Sequence, residues 1–528
     1  MTRLLLAGFL AVRALAAQSS ANPGSVDGLV LNSLTGAPVR KAIVDLDQVG
    51  GPIHLTAETD AAGQFQFTGL SAGAYRLSSS RAGYLPRPTK ITLTLGSTGR
   101  ATAPTIRLRP QGVITGRVLE DDGEPAPGAG VIVYRQVFRH GKKRWERINP
   151  AAMANEAGEY RISNLSPGTY LLQAHNRRQQ ANSHYGEPAE TNPRPAYFIP
   201  AYHPNSPTQQ SATPVQVGVG AELGSIDIHL LKVARPPSVH VKGKVTGVPG
   251  GPQTVVSVGL NPREEGGLGG RSVSANGPDY AFDLLVPPGE YTIHANVYSG
   301  GVEAFGSGTL SVAGDTEGVV VPMSPAPAVT GRILLAEPGV KVKLDGIQIL
   351  ILEGDSSDGL AYRTDESGRF VLPPRLHPGR YGVVVLGPLP PGYYARTVKL
   401  GGEVIEPEGF EITASAQLEI LLSRTAGSIT ASVTDDQGTP VPVGVVTLMP
   451  EDPRAQLEKK DVDDKGQVHF TNLRPGKYRL HAWQEMEDDL WHDPEFRKQY
   501  DARAAQITVG PSETQSVQLK VIPESAIQ

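Results

Sequence analysis

Residues 60–75 read Asp60-Ala61-Ala62-Gly63-Gln64-Phe65-Gln66-Phe67-Thr68-Gly69-Leu70-Ser71-Ala72-Gly73-Ala74-Tyr75. Asp-x-x-Gly is turn chemistry, because the carboxylate can hold a turn and glycine accepts a positive φ. Gln64-Phe65-Gln66-Phe67 then alternates polar and apolar, the signature of a half-buried strand. Ala72-Gly73 turns the chain again, and Tyr75-Arg76-Leu77 alternates once more. The stretch is a β-hairpin, and it recurs. Pro167-Gly168-Thr169-Tyr170, Pro288-Gly289-Glu290-Tyr291, Pro378-Gly379-Arg380-Tyr381 and Pro475-Gly476-Lys477-Tyr478 repeat its end. Asn155-x-x-Gly158-x-Tyr160, Asp365-x-x-Gly368-x-Phe370 and Asp463-x-x-Gly466-x-Val468 repeat its start, and Asn276-Gly277 is a degenerate third copy. The marker glycine stands at 63, 158, 277, 368 and 466, at a nearly constant distance before the tyrosine. A near-constant interval inside a longer, variable period marks a repeated unit with variable loops. Each tyrosine is expected to bury its ring while its hydroxyl bonds a nearby backbone, as in a tyrosine corner.

Each unit opens alike, with Gly28-Leu29-Val30, Gly116-Arg117-Val118, Gly243-Lys244-Val245, Gly331-Arg332-Ile333 and, with alanine for glycine, Ala431-Ser432-Val433. Each closes on a further strand: Thr105–Leu108, Ile226–Leu230, Val319–Val321, Leu418–Leu421 and Val517–Lys520. Short strands separated by Gly/Pro turns predict an all-β chain of antiparallel sandwiches. The expected layout is a signal peptide at 1–17 and sandwich repeats at 25–109, 112–232, 238–323, 328–424 and 427–522. The linkers between them are short and mostly proline-bearing, which favours a semi-rigid rod.

The pattern G-x-V, D-x-x-G-x-F-x-F, G-x-Y and G-Y, best kept in Gly28–Tyr84, resembles the carboxypeptidase regulatory-like domain. That resemblance implies a tandem array of five Greek-key, transthyretin-like (prealbumin-like) β-sandwiches, grouped with carbohydrate-binding-like modules. Tyr197–Pro204, His481-Ala482-Trp483 and Asp493-Pro494-Glu495-Phe496 give the long array a resemblance to exported proteins of soil bacteria.

The composition narrows the chemistry. The 528 residues contain 60 Gly and 45 Pro, which argues against long helical bundles, and no cysteine. Disulfide scaffolds, thiolate metal sites and thiol catalysis are thereby excluded. The net charge of −4 divides into +10 over residues 1–250 and −14 over 251–528. Nothing approaches the basicity of a nucleic-acid binder. Met1–Ala17 has Arg3, an apolar run and Ala14-Leu15-Ala16, the parts of a secretory signal. No run is long enough to cross a membrane as a helix, and no cysteine follows the signal to carry lipid. The expected location is exported, in the periplasm or at the cell surface.

Catalytic motifs are missing from the string: there is no G-x-S-x-G, H-E-x-x-H or Walker loop. The two H-x-x-E strings, His184–Glu187 and His492–Glu495, lie in insertions without the rest of a zinc site. No cofactor is expected. Acidic clusters at Asp121-Asp122, Asp461–Asp464 and Glu487–Asp489 match no EF-hand and could hold calcium only adventitiously. Two insertions are candidate ligand or partner patches. One is a basic hairpin with Arg139, Lys142, Lys143, Arg144 and Trp145. The other places Trp483, Trp491, Phe496 and Tyr500 among acids, with Pro494 fitted to open a short helix. Exposed aromatics stack on sugars or anchor protein interfaces. The expected function is a non-catalytic binding or adhesion protein with carbohydrate as its ligand class, or a scaffold that assembles cell-envelope proteins.

Overall fold

The structure, a computed structural model, describes residues 24–86, 91–96, 99–139, 142–176, 197–233, 238–249, 254–263, 270–299, 302–337, 339–340, 342–354, 359–372, 376, 378–407, 409–486 and 490–527. The expected signal peptide, His184–Glu187 and the acidic cluster Glu487–Asp489 lie outside the described residues. The described chain is almost wholly β. It divides into two compact units, one ending at Leu108 and one running from Arg109 onward together with the short stretches 33–35 and 82–89.

In the first unit the opening strand Gly24–Asn32 is central in its sheet. It pairs antiparallel with Gln64–Leu70 and parallel with Arg100–Thr102 and Ile106–Leu108. The second sheet runs His54–Glu58, Ile43–Gln48, Gly73–Ser80, Ile91–Leu95, all antiparallel. Period-2 alternation sends Val26, Val30, Phe65 and Phe67 from one sheet, and Val44, Leu46, Tyr75 and Leu77 from the other, into the core.

The scheme recurs four times in the second unit. The opening strands Gly112–Leu119, Val239–Thr246, Val329–Leu335 and Gly427–Thr434 pair antiparallel with Glu159–Leu165, Ala281–Val286, Arg369–Val371 and Gln467–Leu473. They pair parallel with Ile228–His229, Thr316–Pro322, Ala416–Ser423 and Thr514–Ile522. The expectation of purely antiparallel sandwiches is therefore corrected: first and last strands run parallel. A chain that reverses at each of six turns brings its seventh strand back in the direction of the first. The third repeat keeps all seven strands. The fourth keeps them and adds the hairpin Tyr394–Leu400/Glu403–Ile405.

The two sequence markers turn out to be one contact. Asp60, Asn155, Asp365 and Asp463 each accept two backbone N–H groups through Oδ1 at 2.7–3.0 Å, from residues two and four further on. The marker glycines then sit at φ 72–74°. Their carbonyls accept the N–H of Val30, Val118, Ile333 and Val433 in the opening strands at 2.7–2.8 Å. A Cβ on Gly63 or Gly158 would stand 2.5 or 2.6 Å from the facing carbonyl oxygen, so only glycine fits. In the third repeat the equivalence of Gly277 is corrected. There Tyr280, at φ 49°, offers its carbonyl to Val245 N–H at 3.0 Å, and no Asx turn forms.

The tyrosines behave as expected of tyrosine corners. Tyr75, Tyr170, Tyr291, Tyr381 and Tyr478 are all buried. The hydroxyls of Tyr75, Tyr170, Tyr291 and Tyr478 donate to the carbonyl four residues back, on Ser71, Ser166, Pro287 and Arg474, at 2.5–2.8 Å. Each such bond contributes on the order of 1 kcal/mol and fixes the turn against the core. Burial pushes the Tyr478 phenol above its ordinary pKa, which keeps it a donor.

Candidate functional site

The insertion of the fifth repeat follows the strand Gly476–Trp483. It forms a 3-10 turn at Leu490–His492, a helix at Pro494–Lys498 and a second 3-10 turn at Asp501–Arg503. Asp493 caps the helix by accepting Glu495 N–H at 2.9 Å, and Pro494 opens it, as its fixed φ favours. This short helix is pressed onto the sandwich. Trp483 is fully buried, donates Nε1–H to Thr447 Oγ1 at 3.0 Å, stacks on Phe496 at 5.8 Å and meets Tyr500 edge-on at 5.1 Å. Val445, Met449, Met486, Trp491 and Ile522 complete a second core beside that of the sandwich. The expectation of an exposed aromatic patch at Trp483, Trp491, Phe496 and Tyr500 is corrected. Their apolar area is satisfied within the chain, so they offer no open face for a sugar.

His481 stacks on Trp483 with ring centroids 5.3 Å apart and is fully buried; among the described residues neither ring nitrogen has a hydrogen-bond partner, and Asp501 Oδ1 stands 3.8 Å from Nε2. Burial lowers its pKa to about 4, against the weaker opposing pull of Asp501. The ring is therefore neutral at pH 7.

The basic insertion of the second repeat is a hairpin of Gly130–Arg139 and Lys142–Met153, with Gln136 opposite Trp145. Arg139 and Lys142 pair at its tip, and their side chains lie outside the described residues. Lys143 is exposed, while Arg144 and Trp145 are half-buried. The hairpin reaches the fifth repeat, where Lys143 Nζ stands 3.8 Å from Asp493 Oδ2. Arg109, just before the second repeat, pairs with Glu524 near the C-terminus at 3.0 Å. These contacts join repeats that are not sequence neighbours. A rod whose units touch only their neighbours would not contain them, so that expectation is corrected for the second unit. The first of these contacts pairs opposite charges from the two insertions, Lys143 and Asp493.

Where the fourth and fifth repeats meet, Asn472 Nδ2 donates to Leu389 O at 3.3 Å, and Asn472 Oδ1 accepts Gly392 N–H at 3.0 Å. Arg474 Nη2 donates to the carbonyls of Ala395 and Arg396 at 2.7 and 2.8 Å, and its guanidinium lies over the Tyr394 ring. Beside this junction opens a cleft of ≈690 Å³. Phe138 from the basic hairpin and His492, Pro494 and Arg497 from the other insertion line it, together with residues of repeats four and five. Sequence reasoning identified both insertions but not their meeting, because nothing in the string places residue 138 beside residue 492. Among the described residues no group of three His, Asp or Glu side chains could hold a metal ion, and no helix is long and apolar enough to cross a membrane.

Residues 25–108 match the family described as carboxypeptidase regulatory-like domain. This is the family that the first repeat resembles in its motifs. Among curated proteins none matches the chain. Solved structures similar to it include GBS52, the minor pilin of Streptococcus agalactiae, with 14% identity, covering 40% of this chain and 98% of that one at a TM-score of 0.23. The shaft pilin SpaA of Lactobacillus rhamnosus GG shows 12% identity over 41% of this chain and 100% of its own, at a TM-score of 0.22. BcpA, the major pilin subunit of Bacillus cereus, shows 10% identity over 94% and 99%, at a TM-score of 0.16. Likeness of this degree carries no argument about function.

Proposed function

We propose that the chain is a non-catalytic, exported array of five sandwich repeats that binds or assembles components of the cell exterior. The observation that carries this reading is a division of labour. The repeated residues are spent on folding: the marker glycines close onto opening strands, and the tyrosine hydroxyls onto turn carbonyls. The unrepeated insertions of repeats two and five converge on the cleft, where Phe138 and His492 both contribute to the lining. Function on a repeated scaffold resides in such grafted segments.

A polysaccharide is one ligand class to test, and it now rests on the half-buried Trp145 alone among the aromatics singled out from the sequence. A glycan array on the full chain tests it, with Trp145→Ala as the comparison. Saturable binding that Trp145→Ala removes supports recognition of sugars. Failure on every polysaccharide, with capture of envelope proteins, supports the scaffold reading. A chelator-sensitive peptidase rate would contradict both.

A further inference from the structure

Aliphatic side chains predominate in the cleft lining, with Phe138 and His492 at the side formed by the two insertions. Leu386, Val404 and Leu457 line it and are 53%, 65% and 42% exposed, an uncommon state for three large apolar side chains in one concavity. The Tyr394 ring is covered by Arg474 at 5.3 Å, and Tyr478 is buried in the sandwich. The volume of ≈690 Å³ falls within the range of small-molecule sites, roughly 300–1,000 Å³.

Charge gives the second half of the argument. The charged lining residues are Arg396, Arg454, Arg474, Arg497 and Glu458, four cations to one anion, in the part of the chain whose net charge is −14. Asp452 is shared by Arg454 at 3.0 Å and Arg474 at 3.9 Å, and Glu458 pairs with Lys460 at 3.1 Å. Arg396 and Arg497 have no carboxylate within ion-pair distance among the described residues. Arg497 is half-buried and gives one hydrogen bond, to Trp491 O at 2.6 Å. Asp493 and Asp501 act on Arg497 only from beyond ion-pair distance, and a guanidinium that is partly desolvated and incompletely neutralised favours an anion beside it.

We propose that the cleft binds an amphiphile with an aliphatic body and one anionic head group, the chain lying on Leu386, Val404 and Leu457 and the head paired with Arg396 and Arg497. This deepens the binding reading above by naming a ligand class, and it rests on that reading only in treating the ligand as held and not turned over.

The test is fluorescence of cis-parinaric acid with the full chain, displaced by palmitate, dodecyl phosphate, methyl palmitate or dodecyl maltoside. Palmitate or dodecyl phosphate should displace the probe, and the stronger of the two identifies the head group. The uncharged competitors should be weaker by about fivefold or more, the worth of a partly buried ion pair. Val404→Asp and Leu457→Asp, at exposed positions that the fold tolerates, should each weaken binding about tenfold. Val371→Asp, equally exposed but outside the cleft, should leave binding unchanged. Equal displacement by palmitate and its methyl ester would overturn the anion requirement. Absence of probe binding, or binding indifferent to Val404→Asp and Leu457→Asp, would overturn the site. Recovery of chemically altered palmitate would contradict the non-catalytic reading and leave the site standing.

Discussion

Gly331 and Phe370 stand directly opposite each other on neighbouring antiparallel strands, and the Phe370 ring fills the space that a Cβ on residue 331 would need. The same register holds Gly28 opposite Phe65, Gly116 opposite Tyr160 and Gly243 opposite Phe282. In the fifth repeat both partners differ together: Ala431 faces Val468. At Gly28 and Gly243 too the opposing ring lies where a Cβ would stand, at Gly116 the Ile226 carbonyl does, and in the fifth repeat a methyl faces a branched side chain. At Gly28, Gly243 and Gly331 this is cross-strand packing of an aromatic over a glycine.

Val468→Phe alone should therefore destabilise the chain by about 1–3 kcal/mol, the usual cost of overpacking. Adding Ala431→Gly should recover part of that loss. Denaturant unfolding of the two single variants and the double variant measures the coupling. Strict additivity would contradict the pairing.

Removing a corner hydroxyl should be mild and uniform. Tyr170→Phe and Tyr478→Phe each leave a turn carbonyl without its donor, at a cost of about 1 kcal/mol. Thermal unfolding of each variant should show similar shifts. A shift in only one would mean that the corners are not equivalent.

The aromatic insertion should report folding and not sugar binding. Trp491→Ala and Phe496→Ala remove side chains from a closed core and should cost about 3–5 kcal/mol each. Trp145→Ala, at a half-buried position on a hairpin, should cost under about 1 kcal/mol. Urea midpoints for the three variants decide this.

Stability should depend on pH through His481. Its folded pKa, about 4, lies below the unfolded value of 6.5. Between these values the unfolded chain binds more protons, so stability is full above pH 6.5 and is lost as the pH falls toward 4. The loss is on the order of 3 kcal/mol. His481→Phe should flatten the stability profile between pH 4 and 6.5. An unchanged slope would show that other groups govern it.

Much of this fold was legible because each device has a local signature. Asp60-x-x-Gly63 states its own turn, the strand alternation states its own faces, and Pro494 after Asp493 states a helix start. The third repeat was harder to read, because Tyr280 does with a strained backbone what glycine does elsewhere. The Thr59 and Thr364 hydroxyls accept the backbone N–H groups of Ala42 and Ile347, and each threonine stands immediately before a marker aspartate, so this device too is written beside the turn signature. The site was least legible. Whether Trp483 and Tyr500 face solvent or pack on the sandwich is set by tertiary docking of a short helix, and composition reads the same in both cases. The contact between Lys143 and Asp493 spans 350 residues of chain and leaves only complementary charge in the string.

The central claim is that the last strand of a repeat returns parallel onto its first and so closes the repeat's own core. In the fifth repeat Ser428 Oγ and Thr514 Oγ1 stand 2.8 Å apart across that pair, and the chain has no cysteine to interfere. The direct measurement is air oxidation of the Ser428→Cys/Thr514→Cys variant beside Ser428→Cys/Lys520→Cys. The parallel register predicts a disulfide in the first and free thiols in the second. A disulfide in the second and not the first would mean that these strands run antiparallel, and the account of the fold would fail.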